Sequence, residues 1–215
     1  TVPILIRTPM GGYRGYGPTH SQSLEKHLLG LPGTRVIALT HRFCPGLLYR
    51  RLLASMDRPT IVIENKLLYG QKSDCTPPAG WQMEINVDSI DARSLPTIRL
   101  RPTEPAQLTL VAYGGMVPLA EAAMRQLRDE EDLVCELLIP TQIYPLAMEP
   151  VLDSLARTGR LLIVEEGQGF ASFGSELIAQ AVCRGTLPST ARFARVHAAA
   201  CPIPASKTAE QQILP

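Results

Sequence analysis

Aromatic residues make up only 5% of this 215-residue chain, and neither sign of charge dominates, with 21 lysines and arginines against 20 aspartates and glutamates. There is no basic stripe to track a phosphate backbone and too few rings for a base-stacking platform, so nucleic acid is not an expected partner. Apolar runs such as residues 161–164 are far shorter than the roughly 20 residues needed to cross a bilayer, and the start has no signal-peptide pattern, so no membrane partner is expected either. The five cysteines, Cys44, Cys75, Cys135, Cys183 and Cys201, include no Cys-x-x-Cys pair and have no histidine at zinc-finger spacing. Disulfides and structural zinc are therefore not expected, and all five read as small, buried, inert apolar residues of a reducing compartment. Gly167, Gly169 and Gly174 miss the Gly-x-Gly-x-x-Gly spacing, because position 172 is Ser172.

What the chain does have is an alternation of short aliphatic runs and helical patterns. Strands are expected at 2–6, 34–39, 60–64, 108–113, 133–138, 161–165 and 193–196, with helices at 21–29, 46–56, 117–128, 147–157 and 173–183. Such alternation implies βαβ units, an α/β fold and mainly parallel sheets buried on both faces. Residues 71–105 are rich in proline and polar side chains and read as a packed linker pinned by Trp81 and Met83. The acidic run Asp129-Glu130-Glu131-Asp132 reads as solvated surface in the turn after a helix.

The most informative stretch runs from Arg7 to Ser23. Gly11, Gly12, Gly15 and Gly17 make a loop able to move and to approach a ligand closely, and Pro18 limits its wandering. Thr19 and Gln22 fit a capping box, with Ser21 as the alternative cap, so His20 is expected at a helix start, facing a cleft. A histidine there suits proton transfer, because its unperturbed pKa of about 6.5 lets it give and accept a proton near neutrality.

These residues also carry a family resemblance. His20-Ser21-Gln22-Ser23 with Glu25, the Leu31-Pro32-Gly33 turn, residues 58–65 (RPTIVIEN) and 67–70 (LLYG) resemble the beta subunit of the first component of 2-oxo acid dehydrogenase complexes. This thiamine diphosphate-dependent group includes the pyruvate, branched-chain 2-oxo acid and acetoin dehydrogenases. Residues 108–117 (LTLVAYGGMV), Pro145-Leu146, 157–167 (RTGRLLIVEEG) and Pro202-Ile203-Pro204 resemble its transketolase-type C-terminal domain.

The resemblance implies an architecture. Residues 1–72 would be the C-terminal portion of a pyrimidine-binding domain, 73–105 a linker, and 106–215 a transketolase C-terminal-like open α/β domain. Family members carry more of the first domain upstream, including the glutamate that activates the cofactor. The chain, opening on a buried-looking strand without methionine, thus reads as a fragment, a processed product or half of a split subunit. Its small first sheet is expected to need a partner to cover it.

The resemblance also implies a chemistry: decarboxylation of a 2-oxo acid on thiamine diphosphate with Mg2+, then acyl transfer to a lipoyl group. His20 would inherit the family's proton-transfer role. Ser21 and Gln22 would orient it or hold the loop, Tyr13 or Tyr16 would line the channel, and Arg7 is a candidate for carboxylate binding. Glu64 and Asn65 are expected to brace the sheet end, and Glu165 and Glu166 to form pairs at an interface or active-site rim. The diphosphate and magnesium would be held by other chains, so the isolated chain is expected to be inactive. A potassium ion on backbone carbonyls, found in family members, would fall on residues 53–58, which match the family poorly. Leu24 replaces the family's proline, and Ala147 its aspartate, which marks a divergent member.

Implied partners are an alpha-type subunit, a second copy through the C-terminal domain, and a lipoyl-bearing acyltransferase. The setting would be the cytoplasm of a bacterium or the mitochondrial matrix of a eukaryote. Two other readings remain: a transketolase-like acyloin-forming or carrier-acylating subunit, and a non-catalytic assembly remnant.

Overall fold

The computed structural model describes residues 2–86, 95–184, 187 and 189–215. Two sheets form the frame. The first has four strands, β1 (Leu5–Met10), β2 (Arg35–Ala38), β3 (Thr60–Asn65) and β8 (Gln142–Tyr144), in the order β1-β3-β2-β8. The pairings β1–β3 and β2–β3 are parallel, whereas β8 joins β2 antiparallel. A strand from the second half of the chain thus closes one edge of the first sheet.

The second sheet has six strands, ordered β10-β9-β6-β7-β5-β4, comprising β4 (Trp81–Asn86), β5 (Thr97–Pro102), β6 (Leu108–Ala112), β7 (Cys135–Pro140), β9 (Arg160–Gln168) and β10 (Arg192–Ala198). The four strands β10, β9, β6 and β7 are mutually parallel, and β5 and β4 extend the sheet antiparallel. The mixed but mainly parallel α/β architecture is the one the alternating runs imply.

Side-chain alternation shows why the second sheet is buried twice over. Leu110, Leu137 and Ile139 face one apolar cluster with Met116 and with Ala120 and Met124 of α3 (Val117–Glu131). Val111 and Leu138 face the opposite cluster, with Val151 and Leu155 of α4 (Glu149–Thr158) and Phe173 and Leu177 of α5 (Phe173–Cys183). That second cluster also takes Val36, Ala38, Ile61 and Ile63 from the first sheet, so one core joins both halves. The first sheet's other face, Ile37 and Val62, is covered by Leu48 and Leu52 of α2 (Pro45–Ala54). Leu137 is fully buried. Its replacement by alanine is expected to cost about 2–5 kcal/mol in a urea unfolding curve, from lost burial plus the cavity left behind.

Several expectations are corrected. The supposed linker 73–105 contributes β4 and β5, although residues 87–94 of that stretch lie outside the described residues. Prolines masked the strands: Pro96 lies just before β5 and Pro102 ends it, while Trp81, buried, donates its indole N–H to the Cys135 carbonyl at 3.0 Å. β1 is not a buried strand but the sheet's edge, with Val2, Ile4 and Ile6 exposed. The helix expected over 21–29 is replaced by a four-residue helix α1 (Gly17–His20) and a single 3-10 turn (Glu25–His27), because Ser21, Ser23 and Glu25 turn inward to tertiary partners. The acidic run lies in the last turn of α3 rather than after it, with Asp132 ending the helix in the left-handed region. Of the cysteines only Cys135 is buried, while Cys75 and Cys183 are exposed. Among the described residues, no helix is long and apolar enough to cross a membrane.

Candidate functional site

Ligands of open α/β sheets gather at the carboxyl ends of the parallel strands. Here the ends of β1, β3, β6 and β9 bring together Met10, Asn65, the Tyr113-Gly114-Gly115 turn and Glu166. The arginine-to-serine stretch picked out from the sequence folds over this point.

A buried carboxylate organises it. Glu166 accepts hydrogen bonds from the Gly12 amide (2.6 Å) and the Ser23 hydroxyl (2.6 Å) on one oxygen, and from the Asn65 side-chain amide (2.8 Å) on the other. Asn65 in turn accepts from the Leu67 amide at 3.0 Å. One side chain of the second sheet therefore ties down the glycine loop, the His-Ser-Gln-Ser segment and the end of β3. The sequence suggested that Glu166 takes part in pairs, but nothing in its pattern named these partners.

The fit around Asn65 depends on two glycines. Gly11 has φ +113°, and a Cβ there would lie 2.6 Å from Asn65 Nδ2; a Cβ on Gly115 would overlap the same amide. Gly115→Ala is expected to destabilise the protein by about 1–3 kcal/mol through overpacking, read as a lower urea midpoint, because Asn65 cannot withdraw without abandoning Glu166.

A second buried carboxylate holds the far side of the loop. Glu210, on the short helix α6 (Lys207–Glu210), accepts from the Gly15 amide at 2.9 Å. Burial pushes its pKa up, but the Ser21 hydroxyl and the loop amides outweigh that and hold it below the usual carboxylate range. The loop read as mobile is thus pinned at Gly12 and Gly15. Glu210 carried no sequence signal, since it lies in a tail far from the loop in chain order.

His20 is the last residue of α1 rather than the first of a helix, and its side chain is exposed. Its carbonyl accepts a hydrogen bond from the Lys66 ammonium, which follows β3 directly. Gln22 is half-buried and, with Ser23, His27 and Glu166, lines a cavity of about 230 Å³. Ser21 is fully buried and accepts from the Tyr16 amide at 3.2 Å, so it holds the loop instead of facing a cleft.

The two tyrosines differ. Tyr16 is exposed with the Arg14 guanidinium 5.2 Å from its ring centre, whereas the half-buried Tyr13 donates its phenol to the Pro215 carbonyl, and burial followed by the Glu166 charge pushes its pKa up to about 12. Tyr13 therefore anchors the segment at Pro215.

Arg7 is placed apart from this group. It forms a bidentate pair with Glu64 (2.8 and 3.0 Å), and Tyr49 and Tyr69 donate to the same carboxylate. Burial pushes the Glu64 pKa up, but those donors outweigh it and keep the group ionised. Glu64 braces the strand end as the sequence suggested, and it occupies the Nε and Nη2 edge of the Arg7 guanidinium.

Two more carboxyls lie beneath the loop. Glu25 accepts from the Tyr113 phenol at 2.8 Å, and Tyr113 packs edge-on against Phe173 with ring centres 5.0 Å apart. Glu165 accepts from the Ser172 hydroxyl (2.6 Å) and the Gly174 amide (3.1 Å), and burial raises its pKa. Among the described residues no group of three or more histidine, cysteine or carboxylate side chains is placed to hold a metal ion.

Residues 99–215 match the family model of the transketolase C-terminal domain. The 2-oxoisovalerate dehydrogenase subunit beta of Pseudomonas aeruginosa is 32% identical over 82% of this chain and 51% of its own length. The pyruvate dehydrogenase E1 component subunit beta of Rickettsia bellii is 29% identical over 82% and 50%. The acetoin:2,6-dichlorophenolindophenol oxidoreductase subunit beta of Bacillus subtilis is 30% identical over 100% and 58%. The chain thus spans about half the length of the curated relatives it matches. Among solved structures, a split gene transketolase described as an inactive beta4 tetramer shares the fold, with a TM-score of 0.61 at 17% identity, over 90% of this chain and 57% of that one. By the match over residues 99–215 the chain belongs to the transketolase C-terminal domain family, and its relatives are the beta subunits of 2-oxo acid and acetoin dehydrogenases.

Proposed function

We propose that the chain is the beta-type part of a heteromeric thiamine diphosphate-dependent 2-oxo acid dehydrogenase, supplying one wall of a site that other chains complete. The observation that carries this reading is the clamp of Glu166 on Gly12, Ser23 and Asn65, which fixes the segment bearing an exposed His20 at the strand ends. Among the described residues no group of side chains is placed to hold a magnesium ion, so the diphosphate half of the site is assigned to an alpha-type chain.

His20, exposed and with its carbonyl held by Lys66, gives or takes a proton at the acyl-bearing group presented to it. Gln22 lines the neighbouring cavity and orients what enters, and the exposed Tyr16 is free to meet the incoming group. The lipoyl arm of an acyltransferase is the acceptor, and a second copy packs through the C-terminal domain. The setting is a bacterial cytoplasm or a mitochondrial matrix.

The test is reconstitution. The chain is co-expressed with an alpha-type chain and any polypeptide carrying the rest of the pyrimidine-binding domain, and decarboxylation is followed with pyruvate and branched 2-oxo acids. Association with thiamine diphosphate-dependent turnover is expected; a stable assembly that decarboxylates none of them would defeat the reading. Discrimination between 2-oxo acids differing by a methylene is expected to be only about 10- to 200-fold, because such a difference is worth about 1–3 kcal/mol.

A further inference from the structure

Glu25 is 4% exposed, and only one of its carboxyl oxygens is hydrogen-bonded, to Tyr113; Oε2 is buried with no partner. The carboxyl borders a cavity of about 20 Å³ shared with Ser23, Asn65, Tyr113 and Glu166. Strand β9 packs directly on it: a Cβ on Gly167 would lie 3.1 Å from Glu25 Oε1. The charges that reach Glu25 are both negative, Glu166 and Glu165 of β9, while Arg195 and His197 of β10 act on Glu165. Its neighbour Lys26 directs its ammonium to the Phe170 carbonyl instead. A carboxylate here would be a buried charge with one hydrogen bond and no cation, beside two other carboxyl groups, whereas the neutral acid has no charge to desolvate and removes the repulsion.

We propose that Glu25 is a positioning residue that works as the neutral acid: uncharged, it lets segment 21–28 lie against β9, and its ionisation loosens that segment and the hold on His20. Only the consequence for His20 rests on the proposed function. Burial, reinforced by Glu166 and Glu165, pushes the pKa of Glu25 up to about 7, against the opposing pull of Tyr113 and the backbone. The docked segment therefore binds a proton that the undocked segment has already released. Docking is strongest below the ordinary carboxylate pKa, weakens as pH rises, and levels off above the raised value.

Amide hydrogen exchange of the full chain, expressed as protection factors, tests this. Protection across segment 21–28 is expected to fall roughly tenfold between pH 6 and pH 8 while that of β7 stays level, and Glu25→Gln keeps the low-pH protection throughout. Tyr113→Phe removes a donor that favours the charged form, so its transition moves to higher pH. The infrared C=O band of a protonated carboxylic acid should be present in the unaltered protein at pH 6 and weaken by pH 8, and weaken only at higher pH in Tyr113→Phe, which ties the band to Glu25 and serves if Glu25→Gln does not fold. Level protection in the unaltered protein, or the same pH dependence in Glu25→Gln, overturns the proposal. Neither readout involves turnover, so failure here leaves the proposed function standing, and an inactive assembly leaves this inference standing.

Discussion

Replacing His20 by alanine in the reconstituted assembly is expected to lower acyl transfer to lipoamide by about 10²- to 10⁴-fold, the usual contribution of a positioned acid or base. The structure makes this a clean substitution. The side chain is exposed and lies at the end of a short helix, and the bond from Lys66 goes to the His20 carbonyl, which alanine keeps. Stability should therefore change by less than about 0.5 kcal/mol, as for surface sites away from special features. Decarboxylation assayed with an artificial electron acceptor should fall less than transfer to lipoamide, because on the proposed reading only the latter takes a proton from His20. Unimpaired lipoamide acylation in an assembly of native composition would remove His20 from the chemistry. An equal fall in melting temperature would assign it to packing instead.

Arg42→Ala is expected to be the most destabilising single change outside the apolar core, costing about 3–5 kcal/mol. Arg42 and Glu121 are both buried and meet in a fork, Nε to Oε1 and Nη2 to Oε2, each at 2.6 Å. The remaining guanidinium nitrogen donates to the carbonyls of Asp74 (3.2 Å) and Thr76 (2.6 Å), and His41 approaches Glu121 at 3.5 Å. This pair bolts the loop after β2 to α3 of the second half. Burial pushes the Glu121 pKa up, but the Arg42 hydrogen bonds outweigh it and keep the group ionised, so truncating Arg42 strands a buried charge. The double variant Arg42→Met with Glu121→Leu should recover most of the loss, since it removes both charges and refills the space. Arg42→Lys should not, because an ammonium cannot reproduce the fork. Urea midpoints of the three variants decide it; equal losses in the single and double variants would mean the pair matters only as volume.

Local regularity explains where the sequence could be read. The strands at 35–38, 60–65, 108–112 and 160–168 stand out because parallel strands buried on both faces are runs of aliphatic residues, and α2, α3, α4 and α5 show the apolar stripe that their packing requires. The exceptions share one cause. β8 is three residues long and pairs with a strand more than a hundred positions earlier, and β4 and β5 sit among prolines. Segment 21–29 has a plausible helical stripe, but Ser21, Ser23 and Glu25 gain more by reaching Glu210, Glu166 and Tyr113 than by forming helical turns. In each case a long-range contact outweighed a local preference.

The candidate site divides in the same way. The segment proposed to carry the chemistry, an imidazole in His-Ser-Gln-Ser behind a glycine loop, could be picked out from chain order and its family resemblance, because neighbours in sequence are neighbours in space. The anchors were not. Glu166 meets Ser23 across 143 positions, Glu210 meets Gly15 across 195, and Tyr113 meets Glu25 across 88. A buried carboxylate is stable only when its donors converge on it, and convergence from four separate segments belongs to the folded chain, not to any stretch of it. Local pattern therefore determined the α/β class and the candidate segment, while tertiary packing alone decided that the loop is pinned, that Arg7 is already paired and that one Glu25 oxygen is buried without a partner.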